Sequence, residues 1–194
     1  MLPPISFFSS PKKILREKMK GERRLAAEAR PDAARHAARN FMSAIDVAPG
    51  AVVSLYHAMG DELSTGPLME ALMEKGALLT LPVVAKRKAP LVFRRFRPGD
   101  MLTDGVYGEL TPLEDAGESV PSILVVPLLA FTRDGGRLGY GGGYYDRTLE
   151  ALRKSGDILA VGYAYGAQEV DALPLSPLDQ PLDWVVTERG AIRC

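Results

Sequence analysis

The stretch ILVVPLLAFTRDGGRLGYGGGYYDR, residues 123–147, has the three parts of a strand–loop–helix unit. Residues 123–127 form a short apolar run, which is typical of a strand at the centre of a parallel sheet. Glycines crowd the segment that follows, and the residues from about Tyr144 to Lys154 favour a helix. Because open α/β sheets bind ligands beyond the carboxyl ends of their strands, this unit predicts a ligand-binding loop.

Helical and extended segments alternate along the rest of the chain. Apolar periodicity predicts helices over 12–30 and 34–45, and a third from a cap at Ser64 or Thr65 to Gly76. Apolar runs predict further strands, which are 51–57, 77–84, 91–96, 158–164 and 184–188. The alternation predicts an α/β fold, a three-layer sandwich with a mostly parallel open sheet and helices on both faces.

The connections between these elements are expected to carry the function. Ligand-facing loops are predicted after residues 57, 84, 127 and 164, where the strands end. Residues 97–122 hold little regular pattern, and we expect a long, mobile excursion there.

The composition narrows the class of protein. The 194 residues are 46% hydrophobic and 25% charged with a net charge of zero, which disfavours a nucleic-acid binder. There is no apolar run of the roughly 18 residues that a membrane span needs, and the single cysteine excludes an internal disulfide. We expect a cytoplasmic monomer with one domain, residues 12–194, preceded by a flexible arm, residues 1–11.

The glycine-rich segment is typical of an anion-binding loop. Six glycines fall within residues 135–143, and glycines let consecutive backbone N–H groups converge on an anion. The helix start that follows adds unpaired N–H groups, and Arg137 adds a delocalised positive charge. The spacing matches neither a Walker A loop nor GxGxxG. A glycine-rich turn without a ligand is the alternative.

Asp146 falls in the first turn of the predicted helix. A carboxylate at this position can simply interact with the helix dipole. Beside a bound triphosphate it can instead hold a Mg²⁺ ion that bridges phosphate oxygens. Spacing alone leaves both interpretations open.

Several segments resemble the 5-formyltetrahydrofolate cyclo-ligase family, also called methenyltetrahydrofolate synthetases. The longest is VPLLAFTRDGGRLGYGGGYYDR (126–147), and the others keep the family's order along nearly the whole chain: KKILR (12–16), MGDELST (59–65), FRPGD (96–100), YGELTP (107–112), VGYAYGAQ (161–168) and LPLSPLDQPLDWVVTE (173–188). The resemblance implies an enzyme that uses ATP and Mg²⁺ to convert 5-formyltetrahydrofolate into 5,10-methenyltetrahydrofolate, with release of ADP and phosphate.

The resemblance also implies roles for individual residues, with Lys12 and Arg137 the catalytic ones. ATP is expected to contact two segments: Lys12, Lys13, Ile14, Leu15 and Arg16, then Arg137, Leu138, Gly139, Tyr140, Gly141, Gly142, Gly143, Tyr144 and Tyr145. The folate is expected to contact His57, Met59, Glu62 and the stretch from Tyr140 to Tyr144. The implied metal ligands are Asp146 and Asp179, whereas Asp183 is expected to be structural.

Other interpretations of the same residues stay open at the level of sequence. Without the resemblance, Lys12 and Arg16 fit a solvated basic helix face, and Glu62 fits an ordinary loop glutamate. Thr132 and Leu178 depart from residues that the family often has, an aspartate and a histidine. Alternative functions are a sugar-phosphate isomerase or acyl-transfer enzyme that binds a substrate phosphate, and a non-catalytic regulator that binds nucleotide or folate.

Overall fold

The computed structural model describes residues 10–194, and its centre is a seven-stranded sheet in the order β11-β10-β9-β6-β1-β2-β3. The helices are α1 (Pro11–Ala29), α2 (Ala33–Ala44), α3 (Gly66–Glu74) and α4 (Tyr144–Ser155). The strands of this sheet are β1 (Val52–Ser54), β2 (Leu78–Val83), β3 (Val92–Arg95), β6 (Ile123–Val126), β9 (Leu159–Tyr163), β10 (Trp184–Thr187) and β11 (Gly190–Arg193). The other strands form two small hairpins: β4 (Leu102–Asp104) with β5 (Leu110–Pro112), and β7 (Ala130–Phe131) with β8 (Arg137–Leu138).

The five inner strands are parallel and the two edge strands are antiparallel. β6 pairs in parallel with β1 and β9, β1 pairs in parallel with β2, and β9 with β10. β3 and β11 run antiparallel to β2 and β10. The predicted α/β fold with a mostly parallel open sheet is therefore confirmed.

Side-chain alternation along the central strands explains why helices cover both faces. In β6, Ile123 and Val125 pack with α2 and α3 in one buried cluster, whereas Leu124 and Val126 pack with α4 in another. Successive side chains of a strand point to opposite faces, so a strand buried on both faces must be apolar throughout. All four residues of β6 are buried, as this requires.

The chain leaves β1 and β6 in opposite directions. The β1–α3–β2 crossover runs to one side on one face, and the β6–α4–β9 crossover runs to the other side on the opposite face. The neighbouring strands β1 and β6 therefore mark the topological switch point, where open sheets form a ligand crevice.

Three predictions need correction. Residues 97–122 contain regular structure, the β4–β5 hairpin. Its strands have three residues each and are too short to show an alternating pattern in the sequence. Arg137 and Leu138 are not loop residues, since they form β8 of the second hairpin. β11 was not predicted at all, and it forms because the chain reverses after β10.

The helix starts refine the predicted boundaries. α1 begins at Pro11, and the Ser10 side chain accepts a hydrogen bond from the backbone N–H of Lys13 at 3.3 Å. The predicted arm therefore ends earlier, and its residues 1–9 lie outside the described residues. Thr65 occupies the N-cap position of α3 without capping it, because its hydroxyl donates to the Tyr56 carbonyl at 2.7 Å instead.

Candidate active site

A cavity of about 780 Å³ lies at the switch point of the sheet. Tyr56 and His57 follow β1, Val84 follows β2 and Pro127 follows β6, and all four line the cavity. The connection after residue 164, which was predicted to face the ligand, contributes Ser176, Leu178 and Asp179 to the cavity, while its first turn packs behind the site. There, Gln168 Nε2 donates to the Leu128 carbonyl at 2.7 Å.

Two ion pairs bring distant residues together at the cavity. Arg137 Nη2 lies 2.5 Å from Asp146 Oδ1, and Lys12 Nζ lies 2.7 Å from Asp179 Oδ2. The Arg137 side chain is 4% exposed, so burial lowers its pKa, although the charge of Asp146 opposes that shift. Partial burial disfavours the charged form of Asp179, yet hydrogen bonds from Lys12 and Ser176 outweigh it and lower the pKa of Asp179.

The glycine loop, residues 139–143, approaches α1 and the start of α4 closely. Arg16 Nε donates to the Gly139 carbonyl at 2.8 Å, and a Cβ at Gly141 would lie 3.2 Å from the Arg16 guanidinium carbon. Gly143 is the N-cap of α4 in a left-handed conformation, with φ of 65°. Glycine offers no side chain to cap the helix, so the first-turn N–H groups of α4 have no side-chain cap, and the residues of that turn line the cavity.

A hydrogen-bonded cluster of three side chains forms another wall. Glu62 Oε1 accepts a hydrogen bond from the Tyr140 hydroxyl, and Glu62 Oε2 accepts one from the backbone N–H of Met59 at 2.9 Å. Arg23 of α1 donates to the same Tyr140 hydroxyl. The loop that carries Glu62 is itself fixed, because the Tyr56 hydroxyl donates to the Leu63 carbonyl at 2.6 Å.

The β4–β5 hairpin reaches the cavity through Tyr107. Its hydroxyl lies 2.8 Å from the Tyr144 hydroxyl, and the two rings meet edge to face at 5.7 Å between centroids. The Arg147 guanidinium lies 5.1 Å from the centre of the Tyr144 ring. Tyr107 is 58% exposed, so this contact lies at the solvent edge of the cavity.

Three phenols of the site, of which only Tyr56 is fully buried, stay neutral at ordinary pH. Burial raises the pKa of Tyr56, Tyr140 and Tyr145 well above the usual value, and the negative charge of Glu62 adds to the shift in each case. These hydroxyls therefore act as hydrogen-bonding groups and not as bases. The charge of Glu62 raises the pKa of Tyr145 and the charge of Arg137 lowers it, so Tyr145 is near both the Glu62 wall and Arg137.

The aspartates fit a metal that is shared with a ligand. Within residues 10–194, no cluster of three or more His, Cys, Asp or Glu side chains could hold a metal alone. Mg²⁺ is commonly held by one or two carboxylates together with phosphate oxygens and water. The hydrogen bonds to Asp146 use Oδ1 and those to Asp179 use Oδ2, so each carboxylate keeps a second oxygen.

Most of the predicted site residues line the cavity. They are Lys12, Arg16, His57, Met59, Glu62, Asp146, Asp179 and all the residues from Arg137 to Tyr145. Lys13, Ile14 and Leu15 do not line it, because successive residues of a helix point in different directions. Leu15 packs beside Met19 and Leu129, and Ile14 is 62% exposed.

Sequence reasoning missed several residues of the site. Tyr107, Leu91 and Arg147 line the cavity, and Arg23 lies behind Glu62. One available signal was the spacing of Lys12, Arg16 and Arg23, which puts all three on one face of a helix. Asp183, expected to be structural, accepts hydrogen bonds from the Ala160 backbone at 2.7 Å and from Arg153 at 3.1 Å.

A mostly parallel open sheet with a glycine loop and paired charges at its switch point is typical of α/β enzymes that bind a phosphate-bearing ligand. The chain belongs to the 5-formyltetrahydrofolate cyclo-ligase family, whose model matches residues 9–188.

Bacterial relatives support this membership. The 5-formyltetrahydrofolate cyclo-ligase of Escherichia coli (strain K12) is 34% identical over 170 residues, which cover 85% of this chain and 93% of that one. The enzyme of the same name from Mycolicibacterium smegmatis is 31% identical over 191 residues, which cover 93% and 95%.

Solved structures have the same fold. The 5,10-methenyltetrahydrofolate synthetase of Aquifex aeolicus matches with a TM-score of 0.69 and 28% identity, over 94% of this chain and 92% of that chain. That of Mycoplasma pneumoniae matches with a TM-score of 0.70 and 20% identity, over 92% and 99%, and supports the fold alone. Among the described residues, no helix is both long enough and apolar enough to cross a membrane.

Proposed function

We propose that the protein converts 5-formyltetrahydrofolate into 5,10-methenyltetrahydrofolate and consumes ATP in the presence of Mg²⁺. The observation that carries the proposal is that one cavity joins the glycine loop and its cations to the wall built on Glu62 and Tyr140. Such a cavity offers phosphate-binding groups and ring-binding groups to two ligands at once.

The triphosphate of ATP would bind at the glycine loop. Backbone N–H groups of residues 139–143 and the start of α4 suit phosphate oxygens. Arg137 would supply a fixed charge from within the protein, and Lys12 and Arg16 would supply charges from α1. Lys13, Ile14 and Leu15 have no part in this proposal, because they lie off the cavity.

Asp146 and Asp179 would hold the Mg²⁺ ion, which supplies charge stabilisation for the transferring phosphate when it is bound. Both aspartates pair with cations of the cavity, Arg137 and Lys12. Binding of the metal and the triphosphate together lets each cation exchange its carboxylate for a phosphate.

The reduced folate would bind between Glu62 and the tyrosines. A carboxylate suits adjacent N–H donors of the pterin ring, and each carboxylate oxygen can accept more than one hydrogen bond. Tyr107, Tyr140 and Tyr144 offer flat apolar surfaces for the rings. His57 and Met59 are exposed at the rim, where they would contact the outer part of the folate.

The chemistry would proceed in two steps. The formyl oxygen on N5 attacks the γ-phosphorus of ATP and ADP leaves, which turns that oxygen into part of a good leaving group. N10 then attacks the activated carbon and loses its proton, and the departure of inorganic phosphate forms the methenyl bridge. Phosphoryl transfer needs mainly positioning and charge stabilisation, which fits a cavity with neutral phenols and fixed cations.

Incubation with ATP, Mg²⁺ and 5-formyltetrahydrofolate tests the proposal, with methenyl product and ADP followed together. We expect both products in equal amounts. Ligand binding without turnover would instead favour a regulator. No response to either ligand would favour an enzyme that acts on another phosphorylated substrate.

Asp146→Ala tests the metal assignment. We expect Mg²⁺-dependent turnover to fall by about a hundredfold or more, because the metal loses a proposed ligand. Asp157→Ala is the matched control, since Asp157 is an exposed aspartate just beyond the other end of α4. Unchanged Mg²⁺-dependent turnover in Asp146→Ala would refute the assignment.

A further inference from the structure

Arg23 extends from α1 into the contact between Tyr140 and Glu62. Its Nη1 atom donates to the Tyr140 hydroxyl and lies 3.7 Å from Glu62 Oε1. The guanidinium carbon lies 5.6 Å from the centre of the Tyr140 ring. Arg23 is 8% exposed, so this charged side chain is almost completely buried behind the wall of the cavity.

The chemistry of arginine sets the direction of the hydrogen bonds. A guanidinium group can only donate, so the Tyr140 hydroxyl must accept from Arg23. The Tyr140 hydroxyl then donates its own hydrogen bond to Glu62, whose Oε1 is the acceptor. Because burial raises the pKa of Tyr140, the phenol keeps its proton at ordinary pH.

Arg23 also completes the restraint on Glu62. One carboxylate oxygen is held by the Tyr140 hydroxyl and the other by the Met59 N–H, so the carboxylate plane has a defined orientation. The Glu62 side chain is 5% exposed, and an ionised carboxylate at such a site requires a compensating charge. Arg23 supplies that charge.

The cost of placing Arg23 here argues against a role in packing alone. Among residues 10–194, its Nε atom is one of the few buried side-chain nitrogens that make no hydrogen bond. A buried donor without a partner costs free energy. The Arg23 guanidinium thus contacts Tyr140 and Glu62 through Nη1, while its Nε–H makes no hydrogen bond.

Arg23 shares α1 with Lys12 and Arg16, which line the cavity near the glycine loop. Spacings of four and seven residues put Lys12, Arg16 and Arg23 on one helix face. Lys12 contacts Asp179, and Arg16 contacts the glycine loop. Helix α1 thus contacts the glycine loop and Asp179 through Lys12 and Arg16, and it contacts the Glu62 wall through Arg23.

We propose that Arg23 is a positioning residue for the reduced folate, which holds Glu62 and Tyr140 in the orientation that binds the pterin. This inference rests on the proposed function. It makes Arg23 specific to folate binding, although the residue lies on the helix that carries two of the proposed phosphate ligands.

Kinetics of Arg23→Met, Arg23→Lys and Arg24→Met test the inference. Arg24 is the matched control, because it is the next residue of the same helix and is exposed. For each variant, KM is measured separately for 5-formyltetrahydrofolate and for ATP. The Kd of 5-formyltetrahydrofolate is measured by calorimetry without ATP, and thermal unfolding shows that each variant is folded.

In Arg23→Met we expect KM and Kd for the folate to rise by about tenfold or more, since a charge-assisted hydrogen bond is lost. KM for ATP should change by less than about twofold, and Arg23→Lys should recover part of the folate affinity because it keeps the charge. Arg24→Met should resemble the unmodified protein.

Two results would overturn the inference. Folate affinity that is unchanged in Arg23→Met would leave the proposed function standing and remove Arg23 from it. Equal rises in both KM values would mean that Arg23 only holds α1 in place. If the unmodified protein neither binds nor converts the folate, the proposed function fails first, and the inference fails with it.

If Arg23→Met does not fold, Arg23→Gln provides the same test. This variant keeps a polar side chain of similar reach at the same position and removes the charge beside Glu62. We expect it to raise the folate KM selectively, and an unchanged folate KM would contradict the inference.

Discussion

The two parts of the cavity, one charged and one aromatic, differ in the side chains that line them. The charged part pairs Arg137 with Asp146 and Lys12 with Asp179 beside a loop of bare backbone. The aromatic part surrounds a single carboxylate, Glu62, with phenol rings whose hydroxyls stay protonated. The charged part suits a ligand of high charge, and the aromatic part suits a flat ring with a few polar edges.

This difference means that the two parts of the cavity suit ligands of different chemistry. Interactions with phosphate are long-ranged and depend on net charge, so they are strengthened where water is excluded. Ring recognition depends on shape and on a small number of directed hydrogen bonds. Variants in the two parts should therefore differ in which ligand they affect and in how strongly.

The largest effect is expected from Arg137→Met in the charged part. It removes a buried cation that faces the proposed triphosphate and leaves Asp146 without its charge partner. We expect kcat/KM to fall by about a thousandfold and the free energy of unfolding to fall by roughly 2 kcal/mol. Steady-state kinetics and denaturant unfolding measure the two effects.

Arg133→Met is the control for Arg137→Met. Arg133 lies on the same hairpin, but its side chain is 68% exposed, and exposed ion pairs contribute little. Turnover that survives Arg137→Met as well as it survives Arg133→Met would remove Arg137 from the account.

A smaller effect is expected from Lys12→Ala, which also lies in the charged part. KM for ATP should rise by about tenfold or more, because a charged phosphate contact is lost. The fold should persist, since Asp179 keeps its hydrogen bonds from Ser176 at 2.6 and 2.9 Å. Lys13→Ala, one residue along and off the cavity, should leave KM within about twofold of the unmodified value. Equal effects of both substitutions would contradict the distinction between the two lysines.

The smallest effect is expected from Tyr107→Ala in the aromatic part. Loss of its contact with Tyr144 should raise the folate KM by about fivefold and let water compete for ATP. The ratio of ADP to methenyl product measures this competition, and it should rise above one. Val106→Ala, at an exposed neighbour, is the control. A ratio that stays at one would mean that the hairpin does not protect the site from water.

The segment of the charged part within residues 123–147 could be predicted from the sequence because its signals are local, whereas Lys12 and Asp179, 167 positions apart, were assigned only through the family resemblance. The apolar run of β6, the glycines and the first turn of α4 follow one another within residues 123–147. The apolar run at residues 123–127 also predicted a strand at the centre of the sheet, and all four residues of β6 are buried. Arg137 was assigned to a loop because a two-residue strand carries no periodic signal.

The aromatic part could not be assembled from the sequence because its contacts are distant along the chain. Arg23 and Tyr140 are 117 positions apart, and Tyr107 and Tyr144 are 37 apart. Those contacts depend on how α1 and the β4–β5 hairpin dock against the sheet, which periodicity does not encode. Glu62 was included only through family resemblance, since a loop glutamate has no distinguishing pattern of its own.

The central claim is that both parts serve one reaction, in which the formyl oxygen of the folate takes the γ-phosphate of ATP. Turnover of 5-formyltetrahydrofolate labelled with oxygen-18 in the formyl group, in unlabelled water, tests it most directly. We expect the released inorganic phosphate to carry the label, because the formyl oxygen leaves as part of that phosphate. Unlabelled phosphate accompanying methenyl product would contradict the account.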